Sequence, residues 1–270
     1  MESEDTNQTI ESNNELEELS HTDKIVGVIS EPSNLFSKLA FLNTKVTDWL
    51  LPLLALIIVA IVSTFICMSN PEIRLEMQQQ QEKAMREQFQ KMVDSGQMTQ
   101  AQADEQLDRT AGMMNNPMFT YLFPSIGIFV MMLVWFFVFT TVAFLIARFV
   151  FKGDAGYSQA MTAMGLPLYI SVLQSIILII IGMIMGKMLT GLNPASLTGM
   201  DVKTLPGFLL SRLDVFSIWF YIVVGIAFAK MFKSDNVKKY IFTSIGVWLV
   251  FMFIIFGLAK VSPMFGNMIR

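Results

Sequence analysis

Charge is scarce in this sequence. Only 15% of its residues are Asp, Glu, Lys or Arg, where a soluble domain carries about a quarter. Histidine occurs once, at His21, and cysteine once, at Cys67. A single cysteine excludes an intramolecular disulfide and a cysteine-based metal cluster, and a single histidine excludes a histidine pair on a metal. No carboxylates cluster at ligand spacing, so neither a metal nor a cofactor is expected. With no acid–base pair or nucleophile set, the chain does not read as an enzyme. The glycine-rich "KGDAG" at 152–156 lacks the preceding strand and the following Lys-Ser or Lys-Thr of a phosphate loop. It reads as a turn, with Asp154 and Ser158 serving the turn and the start of the next helix.

Two further absences concern the ends of the chain. The opening "MESEDTNQTIESNNELEELSHTD" has no basic region ahead of an apolar one, so it does not resemble a cleavable signal peptide. It also has little apolar surface to bury, and residues 1–23 are expected to be a disordered acidic tail. Residues 261–270 are read as a C-terminal tail.

What the sequence does have is apolar residues, 53% of the total, gathered into long runs. A helix crosses the hydrocarbon core with roughly 20 such residues, and lipid permits no unsatisfied backbone. Five spans follow, at about 50–68, 119–147, 160–186, 215–229 and 240–259; the fourth is the shortest, flanked by Asp214 and Lys230. The expected fold is an all-α membrane protein whose membrane domain occupies 49–260, with the bilayer as its main partner and no nucleic acid. No acid, base or histidine falls near mid-bilayer in these runs. That argues against a proton-driven transporter and leaves open a sodium site of carbonyls and hydroxyls.

The segments between the runs are helical too. In 24–48, Ser30 is expected to cap a helix with Pro32 in its first turn, and Leu35, Phe36, Leu39, Ala40 and Leu42 fall at helical spacing. This is an amphipathic helix that either lies in the interface or packs on the spans. Residues 70–114 predict a helical hairpin between the first and second spans. Asn70 and Pro71 open its first helix, Gly96 ends it, and Thr99 with Gln102 forms a capping box for the second. The hairpin either docks a partner or simply zips its own apolar faces together. Lysine density in "KMFKSDNVKKY" favours an inner N-terminus and an outer C-terminus.

Inside the spans the notable residues are few. Gln174 is the costliest polar group there and is expected to bond a neighbouring helix. Gly182 and Gly186 form a small-xxx-small pattern that Gly225 and Ala229 repeat, and both predict close helix packing. Pro167 predicts a kink or break in the third span. Asp214 is placed to cap the fourth helix, either alone or paired with Arg212 or Lys187.

Three blocks carry a family resemblance: "IVGVISEPSNLFSKL" before the first span, "GDAGYSQAMTAMGLPLYI" leading into the third, and "LDVFSIWFYIVVGIA" opening the fourth, with Asp214, Phe216, Ser217 and Trp219. Together they resemble the Yip domain of Ypt/Rab-GTPase-interacting proteins, in its prokaryotic branch, over about residues 25–260. The resemblance implies five spans, an inner N-terminus and an outer C-terminus. It also implies residence in a bacterial inner membrane, with a Rab-type GTPase as partner only for a eukaryotic source. The function it implies is that of a non-enzymatic multi-pass protein organising the membrane or partner proteins, including copies of itself. The alternative is a transporter or lipid-moving protein with a path beside the broken third helix. A polar groove reaching mid-membrane near Gln174 and Thr140 favours the alternative, and a densely packed bundle favours the first. Asp154, Tyr157 and Pro167 are expected to converge near one interface as a shallow site.

Overall fold

A computed structural model describes residues 19–261, apart from positions 115, 117 and 190. The acidic residues 1–18 and the tail 262–270 lie outside the described residues. Among those described, every regular element is a helix: α1 His21–Ser30, α2 Pro32–Leu39, α3 Thr47–Ser69, α4 Pro71–Asp94, α5 Gln100–Met114, α6 Phe123–Leu145, α7 Tyr157–Gly165, α8 Leu168–Met185, α9 Pro194–Thr198, α10 Leu205–Ser211, α11 Val215–Met231 and α12 Val237–Val261. A π-helical turn flanks each end of α6, at Met118–Leu122 and Ile146–Val150.

Four helical stretches are long and apolar enough to cross a membrane: Thr47–Ser69, Met118–Val150, Tyr157–Met185 and Val237–Lys260. A fifth crossing requires α10 and α11 together, bent by 61°. The fourth run is therefore short for a physical reason. α11 begins after this bend, and α10 supplies the further apolar length.

The chain begins helical structure earlier than the acidic composition suggests. Ser20 accepts from the Asp23 amide at 3.2 Å while Asp23 accepts from the Ser20 amide at 3.1 Å, a reciprocal cap that starts α1 at His21. The expected cap at Ser30 does not form. Ser30 donates to the Val26 carbonyl instead, and Glu31 stands ahead of Pro32. Leu35, Phe36 and Leu39 are buried in one core with Leu53 and Ile57 of α3 and with Val223, Val224 and Phe228 of α11. The apolar face of α2 is thus spent on the spans.

The hairpin follows its sequence closely. Asn70 accepts from the amides of Glu72 and Ile73, Pro71 takes the first helical position, and Gly96 turns the chain at φ +72°. The Gln102 amide donates to Thr99, and the Thr99 amide donates to the Gln102 side chain.

At the opposite end of the second span the glycine turn forms. The Gly153 amide donates to Ala147, and a Cβ at Gly153 would meet the Phe232 ring at 2.7 Å. Pro167 separates α7 from α8, as its missing amide requires.

Candidate functional site

The site is built where the connection between α8 and α11 folds back into the bundle. After α8 the chain turns at Gly186 (φ +62°), and residues 187–213 contain the short helices α9 and α10. Asn193 caps α9 by accepting from the Ser196 amide, and it is almost fully buried. Thr204 caps α10 by accepting from Gly207. This segment brings Asp214 beside Gln174 of α8.

Asp214 is 3% exposed, and both carboxylate oxygens are used. Oδ1 accepts from the Ser217 amide and from the Gln174 side chain, each at 2.9 Å; Oδ2 accepts from the Leu192 amide at 2.7 Å. The first bond is the expected cap of α11. The second is the interhelical bond expected of Gln174. Asp214 forms no ion pair with Lys187; the bonds described to it come from three neutral N–H donors. Gly191 is required here: a Cβ would lie 3.0 Å from Asp214 Oδ2 and 2.6 Å from the Asn193 side chain.

Arg212 lies on the same bend. Its Nε donates to Ser211, its Nη1 donates to the Met252 sulfur at 3.1 Å, and its guanidinium sits 5.0 Å from the Phe208 ring centre. Met252 is nine residues before the end of α12, or about 13 Å at 1.5 Å per residue. Gln174 is likewise eleven residues before the end of α8, about 16 Å. The bend therefore carries a cation and an anion to a depth that apolar sequence surrounds. Charged side chains at such depth are costly, and they mark functional sites.

Both groups line a cavity of about 400 Å³ between α3, α6, α8, α11 and α12. One end is polar, with Gln174, Asn193, Ser211, Arg212, Asp214 and Ser217. The remaining wall is apolar, with Leu53, Met132, Trp135, Phe136, Phe139 and Trp248 among its residues. A second space of about 50 Å³ shares Phe139, Met164, Tyr221 and Trp248 with the first and continues to Ala147, Phe151 and Tyr240. Beside these spaces α6 meets α12 through aromatic rings, Trp135 and Phe139 against Phe251 at 5.0 and 4.9 Å. Thr140 is fully buried in α6, and its hydroxyl has no hydrogen-bond partner among the described residues.

A second charged cluster closes the end where α3 begins. Lys24 of α1 pairs with Asp48 of α3 at 2.6 Å, both nearly inaccessible, and Asp48 also accepts from the Lys45 amide. His21 bonds the Tyr169 hydroxyl at 2.5 Å. Desolvation, then the Lys24 charge, lowers the His21 pKa from its ordinary value, and Asp48 opposes the shift. His21 therefore lies in an ordered contact with α8, where composition alone assigns it to the tail.

The other singled-out residues are dispersed. Asp154 pairs with Arg148 at 2.7 Å on an exposed surface, while Tyr157 shares a hydrogen bond with Thr141. Neither lines the cavity. Trp219 is half-buried and packs near Phe216. Gly225 allows close packing: a Cβ would lie 2.4 Å from Ile241 Cα on α12. Gly182 and Gly186 do something else. The Lys187 amide donates to the Gly182 carbonyl, Gly186 takes the left-handed cap, and the pair ends α8. A close approach that the small-residue pattern does not flag is at Gly165, where a Cβ would lie 2.4 Å from Trp49 Cα.

Sequence reasoning also misses Asn193, the Lys24–Asp48 pair and the place of Arg212 in the cavity wall. The signal for Arg212 is the apolar "LPGFLL" just before it, which extends the fourth run upstream of the charges. No group of three or more His, Cys, Asp or Glu able to hold a metal occurs among the described residues.

The Yip1 domain model matches residues 26–258, nearly the whole helical chain. The chain belongs to the Yip1 domain family. Among curated proteins and among solved structures, nothing matches it. Yip1 domain proteins are multi-pass, non-enzymatic membrane proteins of a family linked to membrane traffic. The matched region contains the helices that line the cavity, and the hairpin falls inside it; Lys24 and His21 of the second cluster lie just before it.

Proposed function

We propose that this Yip1 domain protein acts by binding and not by catalysis, and that it holds an amphiphilic molecule of the bilayer in the cavity between α3, α6, α8, α11 and α12. The observation that carries the reading is the division of the cavity wall. Polar groups collect at the α10–α11 bend, and apolar side chains line the rest. A ligand site of this size, mostly apolar with a few placed polar groups, orients a molecule that has one polar end. This is the lipid-handling form of the reading that a groove beside Gln174 supports.

Purification in mild detergent followed by native mass spectrometry tests it. A stoichiometric lipid should remain on the protein, and Leu168→Trp, which fills the cavity, should displace it while the helical circular dichroism is unchanged. Wild-type protein that retains no lipid and takes none up from vesicles would overturn the reading.

A second reading, the organisation of partner proteins, is supported by the hairpin. Most of α4 and α5 is exposed, and Lys203, beside the cavity residue Val202, pairs with Glu87 of α4 at 3.2 Å. A partner gripping the hairpin would pull on the segment over the cavity. The proposed orientation places residues 1–48 and the α11–α12 turn inside and the hairpin outside, in a bacterial inner membrane. Outside labelling of a cysteine at position 235, on a Cys67→Ser background, would reverse that orientation.

A further inference from the structure

The edge where the end of α6 meets the start of α12 is separate from the cavity. We infer that this edge is a docking surface for anionic phospholipid head groups, held by Lys152, Lys238 and Lys239.

Contacts gather three connections at this end of the bundle. A Cβ on Gly153 would meet the Phe232 ring, Thr44 shares a hydrogen bond with Ser158, and Lys233 Nζ lies 4.8 Å from the Phe41 ring centre. The α2–α3, α6–α7 and α11–α12 connections therefore form one face, and α3 runs from it to the hairpin. Bases dominate the second and third of these. Against Arg148, Lys152, Lys230, Lys233, Lys238 and Lys239 stand Asp154 and Asp235. Arg148 takes Asp154 at 2.7 Å. Lys152, Lys238 and Lys239 are exposed, and none of them forms an ion pair with a described residue. In the hairpin, residues 70–114, acids outnumber bases, so the two ends of the bundle differ in charge.

The level of the lysines identifies the occupant. Lys239 Nζ sits 3.8 Å from the Phe151 ring centre, and Phe151 meets Tyr240 edge-on at 4.8 Å, which joins the end of α6 to the start of α12. Next to these cations stand Phe149, Val150 and Phe242, exposed by 70%, 67% and 73%. They belong to two stretches long and apolar enough to cross a membrane, so they face acyl chains. Phe242 follows Lys238 by four residues and Lys239 by three, on one helix face. The lysines thus border an apolar belt, where their stems lie on apolar surface and their ammonium groups reach the phosphates of the leaflet. An acidic soluble protein would meet the lysines and leave Phe149, Val150 and Phe242 uncovered; a lipid covers both. A choline head would bring its own cation against three others, so a head with a phosphate and no cation fits best.

The test uses full-length protein in vesicles of phosphatidylcholine with a minor share of phosphatidylglycerol in both leaflets, so that it does not depend on orientation. A photoreactive benzoylphenylalanine is placed at position 242, and the crosslinked lipids are identified by mass spectrometry. The adducts should be enriched in phosphatidylglycerol over the bulk by roughly 5-fold, the attraction of about one lysine to an anionic surface. The same probe at position 118, exposed beside the hairpin, should report the bulk ratio. Lys152→Gln/Lys238→Gln/Lys239→Gln should bring position 242 to the bulk ratio, and the triple substitution to Arg should keep the enrichment. Leu168→Trp should leave it unchanged, which separates this surface from the cavity. The comparison of positions 242 and 118 needs no lysine variant, so misfolding of the triple variant does not blunt it. A bulk ratio at 242, equal enrichment at 118, or enrichment that survives the change to Gln overturns the proposal. Enrichment that appears only after residues 2–18 are deleted overturns it as well, and assigns the face to the chain's own acidic segment.

Discussion

At the end of the bundle where α3 begins, Lys24 and Asp48 bury a cation directly against an anion, and aromatic and aliphatic side chains pack around them. At the hairpin end, Asp214 is buried among three neutral N–H donors, and Arg212 faces a cavity. The same charge types are thus used in two ways. A direct pair cancels its own field and fixes two helices; it has nothing to offer a ligand. A carboxylate held by neutral N–H dipoles instead stands in a cavity wall beside a guanidinium. The first arrangement holds α1 on the spans, and the second shapes a site.

If that distinction holds, the largest loss of stability comes from breaking the direct pair. Removing one partner leaves an uncompensated buried charge, which costs about 3–5 kcal/mol. Lys24→Met and Asp48→Asn should each cause a loss of this size in unfolding followed by the fluorescence of Trp49, the residue beside Asp48. Replacing both with Lys24→Met/Asp48→Leu should recover most of it, since apolar pairs of similar volume do well in such places. Single variants that cost less than about 1 kcal/mol would show that the pair is solvated, in contradiction to its burial.

Asp214 sharpens the comparison from the other side. Asp214→Ala removes the cap of α11 and leaves the Gln174 and Leu192 donors unsatisfied, with an expected cost of about 1–3 kcal/mol. Lys187→Met should be nearly neutral, within about 0.5 kcal/mol, and a double-mutant cycle between the two should be additive. A coupling energy above about 0.5 kcal/mol would mean that Asp214 relies on a cation after all, and the contrast between the two ends would fail.

How far the sequence reveals these features depends on the length scale of each signal. Runs of 20 apolar residues and caps such as Asn70-Pro71 and Thr99-x-x-Gln102 are local, so the spans and the hairpin are readable residue by residue. Helices of five and seven residues, α9 and α10, are too short for a periodic pattern, and so the fold-back of 187–213 is hidden. Arg212 then looks like an ordinary loop charge and Asp214 like a helix cap alone or with one base, although the fold brings Asp214 to Gln174 and Arg212 to Met252. Glycine spacing is ambiguous for another reason. "GMIMG" has the spacing of a packing motif, but one of its glycines adopts positive φ and ends the helix. Lys24 looks like an orientation charge because its partner lies 24 positions away. Only the tertiary arrangement distinguishes these cases.

The smallest expected effect concerns His21, which stands beside the closed pair without belonging to it. Its partner is Tyr169, and Lys24 and Asp48 act on it through space. Desolvation and Lys24 lower its pKa below 6.5, so the folded state prefers the neutral ring. Between the lowered pKa and the ordinary one, the undocked helix binds more protons than the docked one. Linkage then makes docking of α1 most favourable above pH 6.5 and weakens it as pH falls. Hydrogen exchange of the α1 amides should accordingly quicken, relative to α3, between pH 7.5 and 5 after correction for the intrinsic rate. His21→Gln keeps a hydrogen-bonding side chain opposite Tyr169 but cannot be protonated in this range, so its protection should be flat with pH. Protection that instead rises as pH falls would mean that Asp48 dominates and holds an imidazolium. The pair at this end would then be part of a three-charge cluster.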